Sequence, residues 1–498
     1  MQQTLNIYTN PIMLLQSSSD VLITLLHFRP VTSLLAEMSV RKRSASGGKK
    51  ILKEKIVEIY ESLFRGDQIS IGNSNFWEEF FLLKPKMAAL EGEIGKLQAD
   101  QLAGMRENLN SLFHECVAHL SHPHQIRVVY ALQTLVGVVR AVYRKCVQLS
   151  GFDLVNFLIG FDRAEQEMSI LINNVTKFLC EDHPACLKEL CLQLLLVVSS
   201  GTDNVSSNTL LEYLMINSVF SSLVELLGEA QHRKRHGRSA VTVLALLVQY
   251  RKYESSNPYI LQLSILDQEI VLHGYSHVVT SSLGEYTGAY EASVNESTGT
   301  GWLGAFTNMV GNMFVSEDSH VRNEKMRSHN PALLAFYEII HLNRNFITTL
   351  AHYQTDTTTS AVIDQTQAPA EDVKSVNLLV TFLEYISIAM QDTKSDVAHN
   401  NLTLCFIILT CLTEDQYATA IMHDPNLVFK TKLHRSAMRH RKGGVEQVTH
   451  ARSLVCALLD LLLEFIKSHL MKRLPFELHL LVLNCIHRIL AYQKRLSK

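Results

Sequence analysis

Charge, proline, glycine and tryptophan are all scarce in this chain. Charged residues make up 19% of the 498, below the roughly 25% usual in soluble domains. That shortfall points to helices buried on more than one side, or to apolar surface kept for partners. The formal net charge is −2, so no global field draws the chain toward nucleic acid or anionic lipid, and any such pull comes from local patches. Ten prolines and 22 glycines are few for this length, and alternating strand-like runs are few as well. Any Cys-x-x-Cys is missing. The nine cysteines follow no framework spacing and most sit in apolar helical runs, which speaks against a disulfide scaffold or a zinc site. They fit small buried hydrophobes in a reducing compartment.

Catalytic signatures are absent too. There is no Gly-x-x-x-x-Gly-Lys, no nucleophile elbow and no His-Glu-x-x-His. Gly299, Gly301 and Gly304 imitate a dinucleotide fingerprint, but no strand precedes them and no βαβ unit surrounds them. His114 and His119 flank Glu115 five residues apart and diverge by about 140° on a helix. His119, His122 and His124 could in principle share a metal ion, although histidines beside a helix stop usually do nothing more. No catalytic residue, metal or cofactor is therefore expected. No run reaches the ~18 uninterrupted apolar residues of a membrane span. The apolar patches between Pro11 and Met38 are broken by Asp20, Arg29 and Pro30 and lack the basic lead of a secretory signal.

What remains is a strong helical period. Hydrophobic residues make up 47%, and they recur at three- and four-residue steps in block after block, as in Ile56, Ile59 and Leu63, or Val128, Leu132, Leu135 and Val139. Stops such as Ser121-His122-Pro123 and Asp182-His183-Pro184 separate the blocks. Helices of roughly 12–20 residues with short links, each showing an apolar face that only a neighbour covers, predict an all-α fold: an armadillo/HEAT-like helical solenoid. Residues 1–50 read as a poorly ordered extension and 51–280 as an N-terminal helical-repeat region. A Ser/Gly/Thr/Glu-rich loop with an amphipathic helix follows over 281–330, then a repeat over 331–354. A flexible Thr/Gln/Ala insertion over 355–374 precedes a C-terminal helical-repeat region, 375–498.

Three features suggest contact surfaces. Trp302, Leu303, Phe306, Met309, Val310, Met313 and Phe314 fall on one helical stripe opposite small uncharged residues. Such a helix inserts into loosely packed lipid, or it packs back on the stack as amphipathic stripes usually do. Two basic clusters lie between helices. One holds Arg233, Lys234, Arg235 and Arg238, the other Arg435, Arg439, Arg441 and Lys442. Either offers anionic headgroups about 1 kcal/mol per basic residue, or is simply a solvated loop; neither interleaves aromatics for stacking bases. Finally, the strings Tyr250–Tyr259 and His341–Ile347 mix Tyr, Arg and Asn. They suit interface anchors and, with slightly more weight, buried caps that cross-link adjacent repeats.

Those strings, with Asn75-Phe76-Trp77-Glu78-Glu79, Ile126-Arg127-Val128-Val129, Ala131–Leu135, Leu303–Phe314, Met390–Lys394, Glu414–Tyr417 and Met438–Lys442, resemble the armadillo-like helical domain-containing protein 3 family. The similarity runs from about Met38 to the end; residues 1–37 find no counterpart. The family continues beyond a point matching Lys498, so the helix from Pro475 to Tyr492 is expected to lack its next stacking neighbour here. The resemblance implies a non-enzymatic scaffold, cytoplasmic and peripheral to the Golgi membrane, acting in Golgi organisation and secretion. It implies phosphatidylinositol 4-kinase beta and an Arf exchange factor as partners, with support of phosphatidylinositol 4-phosphate levels and of Arf GTPase activation. The alternative on the same architecture is a receptor for peptide or protein cargo with no membrane role. For extended peptides that needs an array of groove-facing tryptophans, and this chain has two, Trp77 and Trp302.

Overall fold

The structure is a computed structural model describing residues 53–67, 73–145, 151–253, 256–299, 316–352, 377–391, 393, 395–436, 438, 440–441, 444–446, 451–472 and 474–497. The chain divides into two compact units, His27–Leu261 and a second containing Gln262–Lys498.

The first unit holds α1 (Lys55–Leu63), α2 (Phe76–Phe80), α3 (Met87–Lys96), α4 (Ala99–Gly104), α5 (Arg106–His119), α6 (Gln125–Lys145) and α7 (Gly151–Leu158). It continues with α8 (Phe161–Cys180), α9 (Ala185–Ser199), α10 (Leu210–Ile216), α11 (Phe220–Gly228) and α12 (Ala230–Gln249), and the division falls within α13 (Pro258–Ser264). Helices α3, α6, α9 and α12 pack side by side in one row, and α5, α8 and α11 in a second. The period explains the rows. In α6, Val128, Leu132, Leu135, Val139 and Val142 are buried on one face. From Ala240 to Val248 every residue of α12 is buried, as expected of a helix covered all round.

The second unit repeats the plan. It holds α14 (Glu269–Gly299), α15 (Ser316–Leu342), a 3₁₀ segment Asn345–Ala351, α16 (Leu378–Ala389), α17 (Asp396–Glu414), α18 (Gln416–His423), α19 (Leu454–His469) and α20 (Phe476–Leu496). Here α14, α16 and α19 form one row and α15, α17 and α20 the other. Between α18 and α19 lie four short strands: β1 (Val428–Phe429) pairs antiparallel with β4 (Arg452–Ser453), and β2 (Leu433–Arg435) with β3 (Gly444–Glu446). Strand β2 sits on α16 through the Lys432 N–H donating to Glu384 Oε1 (2.9 Å) and the His434 N–H to Ser387 Oγ (3.0 Å). The architecture is all-α and armadillo-like, with this small β insertion.

One joint recurs. A buried asparagine ends one helix with its amide N–H groups and starts the next with its carbonyl. Asn208 donates to Val198 O (2.7 Å) and accepts from Leu210 N. Asn257 donates to Leu247 O (2.8 Å) and Tyr250 O (2.9 Å) and accepts from Tyr259 N. Asn343 donates to Leu263 O and Leu266 O (both 2.7 Å) and accepts from Phe346 N. Asn377 donates to Leu350 O (2.9 Å) and accepts from Leu379 N. Helix ends leave carbonyls and N–H groups without partners, and one side chain satisfies both sets. The strings Tyr250–Tyr259 and His341–Ile347 thus supply repeat cross-links. In the first of them Arg251 adopts φ 43°, held by Glu212 (2.9 Å) and lying over the Tyr250 ring.

Three expectations need correction. The stretch from Ser281 to Gly299, expected to loop away, continues α14. Within it Ser282 and Thr287 are buried, and Thr287 Oγ1 returns its hydrogen bond to Gly284 O. Pro331, expected to open a helix, lies inside α15; every residue from Ala332 to Ile340 is buried, which outweighs the one backbone bond a proline forfeits. The cluster Arg233–Arg238, expected between helices, occupies the opening turns of α12. The 1–50 extension and the 355–374 insertion lie outside the described residues.

Among the described residues two helices, α6 and α17, are long and apolar enough to cross a membrane by length and composition alone, although polar residues interrupt both. Within the protein 67% and 78% of their apolar windows are buried, so neighbouring helices already cover them.

Candidate interaction surfaces

The basic segment of α12 is largely spent on structure. Arg233 Nη1 donates to Leu227 O (2.9 Å) and Gly228 O, capping the end of α11. Burial lowers the pKa of that guanidinium. His236 is buried with Nδ1 3.1 Å from Glu189 Oε2, and His232 pairs with Glu229 (3.1 Å). Lys234, Arg235 and Arg238 are exposed. A cavity of about 520 Å³ opens beside them, lined among others by Cys180, Asp182, His183, Lys188 and Glu225. Two of its lining side chains are tied to the protein: buried Lys188 donates to Leu179 O (2.5 Å) and His183 lies 3.3 Å from Glu181.

The second basic cluster rides on the β2–β3 hairpin. Arg441 forms an ion pair with Glu464 of α19 and donates to Ser436 O, and Lys432 lies 3.6 Å from Glu291. Arg435 is half-buried, Lys430 and His440 are exposed, and Met438 shows an apolar side chain beside them. Arg439 and Lys442 lie outside the described residues. The same holds for the whole stripe Trp302, Leu303, Phe306, Met309, Val310, Met313 and Phe314.

The histidines at the α5–α6 turn converge on one carboxylate. His119 Nδ1 lies 2.8 Å from Glu115 O, its Nε2 3.7 Å from Glu78 Oε1, and His122 Nε2 3.7 Å from Glu78 Oε2. Arg127 forms an ion pair with the same carboxylate, and its Nη1 lies 2.8 Å from His122 Nε2. Among the described residues no three His, Cys, Asp or Glu side chains form a metal-ligand set.

Sequence reasoning missed the outer face of the last two helices. In α20, Leu478, Leu481, Val482, Cys485 and Ile489 are buried, while Phe476, Leu483 and Leu490 stand exposed at seven-residue spacing. In α19, Leu463 is exposed, and exposed Leu470 and Met471 follow in the turn. The signal was legible: α20 carries apolar residues on more than one face, and an outer stripe beside a buried one marks either a further neighbour or a contact surface.

Known proteins share this arrangement of residues along nearly the whole chain. An armadillo-like helical domain-containing protein 3 from Xenopus laevis is 44% identical over 478 residues, 91% of this chain and 69% of its own. The Homo sapiens protein of the same name matches equally well, 44% over 476 residues. The chain belongs to the armadillo-like helical domain-containing protein 3 family. The family description "Armadillo-like helical domain-containing protein 3, C-terminal" matches residues 452–498, which in this structure are β4, α19 and α20. More distantly, a UPF0588 membrane protein of Schizosaccharomyces pombe is 23% identical over 370 residues, 73% of this chain and 57% of its own. An armadillo-like helical domain protein is not an enzyme class by name, and a helical scaffold is the role its architecture fits.

Proposed function

We propose that this family member is a non-enzymatic scaffold at the Golgi membrane, acting in Golgi organisation and secretory trafficking. On this reading it recruits phosphatidylinositol 4-kinase beta, sustains phosphatidylinositol 4-phosphate levels and promotes Arf GTPase activation together with an Arf exchange factor. Its membrane contact is peripheral. The observation that carries the reading is identity to the family spread over 91% of the chain, across both units, rather than confined to one motif. Support for membrane contact comes from the exposed leucines of α19 and α20 and from the name of the fission-yeast relative.

Co-precipitation from cells expressing the full chain tests it, with the kinase and the exchange factor as probes and Golgi phosphatidylinositol 4-phosphate measured after depletion. Capture of the kinase together with a fall in the lipid is expected, and purified protein alone shows no turnover. Absence of the kinase from the precipitate, with the lipid unchanged, overturns the proposal.

A further inference from the structure

The turn from α19 to α20 gathers large apolar side chains in water. Met471 is 96% exposed, and Leu470 and Phe476 are 66% and 67% exposed. Side chains of this size usually find cover, yet none of the three contributes to the core that anchors the two helices. Helices added alongside a row cover the flanks of their neighbours. Residues at a turn project past the helix ends, where a flat surface reaches them before another helix does. Charge selects the surface: from Lys467 to Glu477 the sequence carries three basic side chains and one acidic one, and Lys467 and Lys472 are both exposed. Apolar tips within a basic rim match the boundary between anionic headgroups and acyl chains.

We propose that the α19–α20 turn is a membrane wedge, in which Leu470, Met471 and Phe476 enter the interface of an anionic bilayer while Lys467 and Lys472 meet its headgroups. The inference deepens the membrane part of the proposed function and rests on it, by naming the point of contact outside the 302–314 stripe.

Flotation of the purified full chain with vesicles of phosphatidylcholine, alone or mixed with phosphatidylserine, tests it. The wild type floats with the anionic vesicles. Met471→Asp/Phe476→Asp lowers the bound fraction by about tenfold, and Lys467→Glu/Lys472→Glu removes the preference for phosphatidylserine. Met471→Trp in a Trp302→Phe background, read as the difference from that background because Trp77 remains, is quenched by brominated acyl chains; this readout needs no disruptive substitution. Absence of flotation overturns the wedge and leaves kinase capture as a separate question. Wild-type flotation of the Met471/Phe476 variant, with loss in Trp302→Asp/Phe306→Asp, also overturns it and moves the contact to the stripe. So does concentration-dependent self-association that the Met471/Phe476 variant abolishes without any vesicle binding, since the turn is then a protein interface.

Discussion

The two units share a joint and differ in how their helices are connected and edged. In both, buried asparagines close one helix and open the next, Asn208 and Asn257 in the first unit, Asn343 and Asn377 in the second. Both units bury ionisable side chains, Glu167, Lys188 and His236 in the first, Glu338, His434 and His469 in the second. Lys188 is buried on a helix-end carbonyl, His114 lies 2.5 Å from buried Glu167, and α12 turns Arg233 and His236 into struts. The second unit interrupts its helices with β1–β4 and leaves leucines of α19 and α20 in water. The common joint builds rows of helices. Surface for partners arises where charged and apolar groups are released from that task.

The largest expected effect tests the common joint. Asn257→Ala and Asn343→Ala each strand buried carbonyls and an N–H, and each lowers stability by about 3 kcal/mol in denaturant melts. A loss confined to one variant would break the equivalence of the units. Next is Gly201→Val in the first unit. A Cβ there lies 2.4 Å from the Tyr143 ring, whose hydroxyl donates to Asn208 Oδ1 (2.9 Å). Overpacking costs about 1–3 kcal/mol, seen as faster amide exchange in α6 and α9.

Acid sharpens the contrast from the other side. His469 of α19 is buried, stacks on Phe465 at 4.6 Å and has its pKa lowered from 6.5 to about 4, chiefly by burial. Burial lowers His434 as well. An imidazole whose folded pKa lies below its unfolded one contributes stability above pH 6.5, and that contribution is lost as pH falls toward 4. Between those values the second unit loses on the order of 1–2 kcal/mol, allowing for solvent screening. His469→Phe flattens the dependence. Amide exchange at pH 7 and pH 5 locates the loss; equal loss in both units would refute it. The smallest effect separates struts from surface in one segment: Arg233→Ala uncaps α11 at about 1 kcal/mol, whereas exposed Lys234→Glu changes stability by about 0.5 kcal/mol or less. Thermal melts of the two variants should differ accordingly.

How much was legible depended on whether a residue's role was local. Helices such as α6 and α9 were readable because a core-facing stripe repeats every three to four residues regardless of what covers it. The asparagine strings were readable as caps. Residues 281–299 were misread because Ser, Gly and Thr look like loop until burial, as of Ser282 and Thr287, holds them in a helix. Arg233 to Arg238 were misread because five polar side chains and a glycine look solvated until the α11 carbonyls arrive to accept from one of them.

By itself the sequence determined that this chain is helical and layered. Those properties follow from spacing along the chain, which the helix geometry converts directly into faces. Only the tertiary structure decided which basic residues are spent and which remain on the surface, that Glu78 gathers Arg127 and two histidines, and that α20 hides one apolar face while Phe476, Leu483 and Leu490 stay in water. Each of these depends on groups far apart in sequence competing for the same partner, and hydrogen bonds and burial are settled by that competition rather than by the order of residues.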